Sequence, residues 1–119
     1  MAQFKFLIWL AYWYQQTEIF EFEWDTGNYV KSLKKHDVSI DEIESLFKTK
    51  MGVAIGRQIA PPIEEERLCV VGPTDTGRML SVVFTLRDGR VRPISGRPAG
   101  KKERRLYEEK EDQTKVIKL

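Results

Sequence analysis

The sequence predicts a single α+β domain, a mostly antiparallel sheet with helices packed against it. Its second half is a succession of apolar runs joined by short turn signals, which favours strands that pair with their sequence neighbours. Helical periodicity is confined to the stretches before and after that half. Size agrees: 119 residues, 41% hydrophobic, suffice for one core and are too few for two.

The chain opens on an apolar stretch, Phe6 to Tyr14. It falls well short of the ~20 residues that span a bilayer. Gln15-Gln16-Thr17-Glu18 follows it and offers no small-residue cleavage site. The family resemblance carried by the motifs further along leaves residues 1–18 without a counterpart, and on that ground they are set apart as an N-terminal extension. It is either a misassigned start, the preferred reading, or a segment that packs on the domain or on a partner. The domain proper is expected over 19–110, with a frayed tail at 111–119.

Within the domain, Phe20-Glu-Phe-Glu-Trp24 alternates apolar and acidic residues and predicts a strand with one buried face. Asp25-Thr26-Gly27 supplies turn and cap chemistry for a helix from Thr26 to His36. On it Tyr29, Leu33 and His36 share a face, and Lys31, Lys34 and Lys35 point outward. Ser39 and Glu42 form a capping box before a second helix, whose stripe is Ile40, Ile43, Leu46 and Phe47 and which ends near Lys48.

Short strands are expected at Gly52–Gly56, Arg67–Gly72, Arg78–Leu86 and Arg90–Ser95. An exposed loop at Gln58–Glu66 carries Pro61-Pro62 and three successive glutamates. Asp88-Gly89 signals a hairpin. Pro93 cannot donate to a ladder, so its strand is expected at an edge or bulged. Pro98 opens a last helix from Ala99 to Lys110 with Leu106 and Tyr107 inward. The predicted order is β-α-α-β-β-β-β-α.

Several function classes drop out. One cysteine, Cys69, excludes an internal disulfide, and one histidine, His36, leaves too few soft ligands for zinc. Cys69 stands in the run Leu68-Cys69-Val70-Val71 and reads as an inert core residue of a protein in a reducing cytoplasm. Gly72 to Gly77 has phosphate-loop spacing, but Arg78-Met79 follows where Lys-Ser/Thr should stand. Asp41, Glu42 and Glu44 read as a polar helix face. No metal, cofactor or membrane span is expected.

The net charge is only +2, yet it is unevenly distributed. Arg87 to Arg105 holds eight basic residues against Asp88 and Glu103, and Glu18 to Asp25 holds four acids and no base. A basic stretch of this kind points to a polyanion partner. Three basic groupings remain after the exclusions: Lys34-Lys35-His36, Arg67, and Arg92 to Arg97 leading into Lys101 to Arg105.

These groupings belong to an ordered set of motifs: Phe22 to Asp25, Lys35-His36, Val38 to Glu42, Glu66-Arg67, Gly77 to Arg87, Arg92 to Arg97 and Glu103 to Glu108. No one motif is specific, but the ordered set resembles the BrnT toxins of bacterial type II toxin–antitoxin systems, over roughly three-quarters of the chain. Asp37 stands where that pattern has glycine, and Gly96 where it has a small alanine-like residue. The resemblance implies a RelE-like fold and a ribonuclease that blocks translation. It also implies a cognate BrnA-like antitoxin, through which alone the toxin would meet operator DNA.

Metal-free RNA cleavage requires attack by a 2′-hydroxyl on its own phosphate, proton transfers to and from oxygen, and cations around phosphorus. The expected catalytic set is His36 as acid or base with Arg67, Arg92 and Arg97 on the phosphate. Arg97 is preferred, because it leaves a strand beside a helix N-terminus. Lys34, Lys35, Lys101 and Arg104 are expected to attract RNA, with Glu103 and Tyr107 in support. The bland counterparts are an ion pair of Arg67 or Arg92 with Glu21 or Glu23, a hydrogen-bonded helix-end His36, and a buried polar cluster around Glu103. A non-catalytic RNA-binding or corepressor scaffold is the alternative function. Ribonuclease chemistry requires the guanidinium groups of Arg67, Arg92 and Arg97 to converge on one concave surface sized for a phosphodiester; arginines scattered over separate faces, or each locked to a carboxylate, would leave no such pocket.

Overall fold

The apolar runs of the second half become strands that pair in sequence order. A computed structural model describes residues 3–25, 27 and 34–118, with 111–118 by backbone alone. Its elements are β1 (Gln3–Lys5), α1 (Ile8–Gln16), α2 (Ile40–Lys48), β2 (Val53–Ala60), β3 (Leu68–Pro73), β4 (Met79–Arg87), β5 (Arg90–Pro98) and α3 (Lys101–Lys118). The five strands form one antiparallel sheet in the order β1-β2-β3-β4-β5.

The α+β class holds; β1 and α1 are added at the start of the element order, the strand expected at 20–24 drops out of it, and α3 is longer than expected. The strand expected at Phe20–Trp24 shrinks to one parallel bridge, Phe22 with Val91. Val91 N–H donates to Glu21 and Glu23 N–H to Val91, each at 2.8 Å. The next donor on that edge of β5 would be residue 93, a proline, so the ladder stops there. At the other edge a short strand, β1, pairs with β2 and extends it to Ala60, where a loop from Gln58 was expected. Gly56, at φ 139°, allows the bulge that brings the backbone of β1 so close. At the C-terminus, α3 runs to Lys118 and takes in most of the expected tail.

Most of the helix expected over 26–36 lies outside the described residues, apart from helical backbone at 27 and 34–36. The capping box forms as the sequence requires: Ser39 Oγ accepts from Glu42 N–H at 3.2 Å, and the Glu42 carboxylate accepts from Ser39 N–H at 3.2 Å. Pro93 sits beside a bulge in β5, where Val83 pairs with Ser95 and Phe84 with Pro93.

Alternation along the strands divides the sheet into two faces. One carries Leu68, Val70, Leu80, Val82, Phe84 and Val91, packed against Ile43, Leu46 and Phe47 of α2 and Leu10, Ala11 and Tyr14 of α1. Residues 3–16 thus build part of the core. The Tyr14 hydroxyl donates to the Leu46 carbonyl at 2.5 Å and accepts from Gly52 N–H at 2.9 Å. The other face carries Val53, Ile55, Cys69 and Val71 under Ala99, Leu106 and Tyr107. There α3 lies across β2 and β3.

Candidate nucleic-acid interface

The second face changes character from β3 to β5. Cross-strand partners share a face, and Cys69 pairs with Val83, Val83 with Ser95, Ser81 with Arg97, and Thr85 with Arg92. Arg67 immediately precedes Leu68, whose side chain enters the first core, so Arg67 falls on the second face. Arg92 and Arg97 of β5, and Arg67 just before β3, therefore lie on one face, together with Ser81, Thr85 and Ser95.

Two of the three arginines are engaged with carboxylates. Arg92 donates to Asp25 at 2.9 Å and to Glu23 at 3.4 Å, and its side chain is 17% exposed. The alternation at 20–24 explains this. Phe20, Phe22 and Trp24 pack into the first core, which leaves Glu21 beside Arg90, and Glu23 beside Arg87 and Arg92. Sequence reasoning offered Glu21 or Glu23 as the partner of Arg92; Asp25, at the end of the same alternating run, is closer.

Arg97 gives both terminal nitrogens to Glu103. The Glu103 side chain is only 8% exposed, and its carboxylate also accepts Gly100 N–H at 2.8 Å, which caps α3. Glu103 is thus a buried carboxylate held by Arg97 and by the backbone N–H that precedes α3. Arg67 differs from the other two: its Nε is buried without a hydrogen-bond partner among the described residues, as is the Thr85 hydroxyl.

The remaining candidates are dispersed. Lys101 and Arg104 are exposed on the first turn of α3, with Arg104 Nε donating to the Ala99 carbonyl at 3.2 Å. Tyr107 donates to the Met51 carbonyl at 3.3 Å. Lys34 and Lys35 are exposed. The half-buried His36 leads, through Asp37, to Val38 in the first core. Its backbone thus approaches the sheet from the face opposite the three arginines.

Arg78 was not singled out from the sequence. Its guanidinium donates to the His36 carbonyl at 3.0 Å and to the Asp37 carbonyl at 2.6 Å, and pairs with Glu42 at 3.3 Å. It ties the end of the helical turn at 34–36 to the start of α2. Asp37 takes φ 53°, the left-handed conformation that glycine normally supplies at a helix end.

Cys69 is fully buried, its Sγ 3.6 Å from Ser81 Oγ, and burial pushes its thiol up to about 12. It is inert at neutral pH, as its apolar run suggested. No cluster of three or more His, Cys, Asp or Glu side chains among the described residues is arranged to hold a metal ion. No helix among them is long and apolar enough to cross a membrane.

Comparison with known proteins matches this fold and sequence. The fold is similar to that of the ribonuclease toxin BrnT of Brucella abortus, known from a 1.1 Å crystal structure. The TM-score is 0.51 at 17% identity, over 70% of this chain and 100% of that one. No curated protein matches the chain. The family described as the ribonuclease toxin, BrnT, of a type II toxin–antitoxin system matches residues 24–103, well over half of the chain. The chain belongs to the BrnT family of ribonuclease toxins of type II toxin–antitoxin systems.

Proposed function

We propose that this protein cleaves RNA without a metal, by attack of a 2′-hydroxyl on the adjacent phosphate, and that Arg67 is its principal phosphate contact. One observation carries this reading: Arg67 lies on the face of Arg92 and Arg97, yet its Nε alone among the three guanidinium groups is buried and unpartnered. A buried donor without a partner marks a guanidinium that the fold has not committed to a carboxylate, which leaves its terminal nitrogens to bind an anion.

Arg92 is the second contact, held upright by Glu23 and Asp25. Arg97 supports the site by fixing the first turn of α3 through Glu103. His36, the one side chain whose ordinary titration falls near neutrality, serves as proton carrier only if its ring reaches past the sheet edge to the arginine face. Lys34, Lys35, Lys101 and Arg104 raise the local concentration of RNA. A BrnA-like antitoxin is the partner that silences the toxin in the cytoplasm and links it to operator DNA. The fold is read as RelE-like. Purified protein incubated with RNA in EDTA tests the chemistry: cleavage supports it, and intact RNA removes it.

A second reading has its own support. The carboxylates on Arg92 and Arg97, and the approach of His36 from the opposite face, suit a protein of this fold that binds RNA or serves as a corepressor scaffold without cleaving. That reading expects salt-dependent RNA binding in the same assay and no products.

A further inference from the structure

We propose that Thr85 is a positioning residue for Arg67: with RNA phosphate bound, its buried hydroxyl accepts the Arg67 Nε–H and aims the two terminal nitrogens at the ligand. This rests on the reading of Arg67 as a phosphate contact.

The pairing follows from register. Leu68 lies opposite Phe84, so one step along the antiparallel ladder brings Arg67 opposite Thr85. The Arg67 carbonyl accepts Gln58 N–H at 2.8 Å, which turns its backbone polar groups toward β2. Facing β4, Arg67 and Thr85 therefore form a non-hydrogen-bonded pair, the kind whose Cα atoms approach to about 4.5 Å and whose side chains lie closest.

In that pair, the donor Nε of Arg67 and the hydroxyl of Thr85 are both buried and both without a partner. Thr85 as a residue is 2% exposed, so ligand cannot reach it directly. Two deficits side by side, one a charged donor and one an acceptor, are removed together by a single bond. Ordering a free arginine opposes that bond. A phosphate gripped by both terminal nitrogens supplies the order, because the guanidinium is planar and its remaining Nε–H then has a fixed direction. Arg92, on the other side of Thr85, already has Glu23 and Asp25. Packing alone does not call for the hydroxyl: valine has the same shape and would leave no unsatisfied oxygen at a site this dry.

The experiment compares the parent with Thr85→Val, Thr85→Ser and Arg67→Lys, measuring melting temperature, affinity for a labelled single-stranded RNA oligonucleotide, and its cleavage. Thr85→Val is expected to melt at or above the parent temperature and to lose about tenfold in RNA affinity, the worth of one hydrogen bond to a charged donor. Thr85→Ser is expected to keep the parent affinity. If Thr85→Val binds and cleaves like the parent while Arg67→Lys is impaired, the coupling fails and the Arg67 site survives. If Arg67→Lys is also unimpaired, or the parent binds no RNA, the site itself fails. A Thr85→Val chain that melts lower, or a Thr85→Ser chain that loses as much affinity as Thr85→Val, assigns Thr85 to packing and overturns the proposal.

Discussion

Arg97 closes the fork of its guanidinium on the carboxylate of Glu103, a side chain that is otherwise almost wholly buried. The same carboxylate accepts the N–H of Gly100, the residue just before α3. The pair thus joins the end of β5 to the start of the helix that covers half of the second sheet face. An arginine that the sequence recommended for phosphate contact has a structural task.

Arg97→Ala leaves the Glu103 carboxylate buried without its cation, and should destabilise the fold by about 1–3 kcal/mol. Glu103→Ala removes the cap as well and should cost at least as much. Urea denaturation of both variants checks this. Loss of growth inhibition in Arg97→Ala is then expected at least partly through stability, and equal urea midpoints for parent and variant would sink that account.

Tyr14→Phe deletes the hydroxyl that joins the Leu46 carbonyl to Gly52 N–H, both inside the first core. The expected loss is about 1–3 kcal/mol, the cost of leaving buried polar groups unpaired. An unchanged denaturation midpoint would show that residues 3–16 do not pack as described.

Gly96→Ala sets a methyl group 2.6 Å from Ile43 Cδ1, where the last strand and α2 touch. It should destabilise by about 1–3 kcal/mol, and Ile43→Val should restore part of that loss in a double-mutant cycle. Additive effects of the two substitutions would refute the contact.

Cys69 gives a pH dependence of definite sign. Its thiol is raised from about 9 to about 12 by burial, so the folded state keeps the proton longer than the unfolded one. Its contribution is intact below pH 9 and lost progressively as pH rises toward 12, with a slope of at most about 1.4 kcal/mol per pH unit. Cys69→Ala should flatten the alkaline limb of a stability curve. A thiol reagent that modifies the native protein rapidly at neutral pH would contradict the burial.

Much of this was legible in the sequence because it rests on local rules. The Ser39–Glu42 box, the Asp88-Gly89 hairpin and the bulge at Pro93 each follow from a few neighbouring residues. The alternation at 20–24 correctly divided apolar from acidic side chains, but its ladder depends on an N–H that Pro93, seventy residues away in sequence, does not have. The core role of Tyr14 was hidden because its partners Leu46 and Gly52 are distant in sequence and bond through backbone atoms. For the candidate site, spacing singled out Arg67, Arg92 and Arg97 but not which carboxylates reach two of them. Thr85 carried no signal, since an unmade hydrogen bond leaves no mark in composition or period.

The most direct test of the central claim is RNA cleavage by purified parent and Arg67→Gln in EDTA, with melting temperatures taken alongside. The account predicts product from the parent and about a hundredfold less from the variant, on the scale of removing one donor from a charge-stabilising site, with little change in melting. Equal cleavage by the two proteins, or none by the parent, would contradict it.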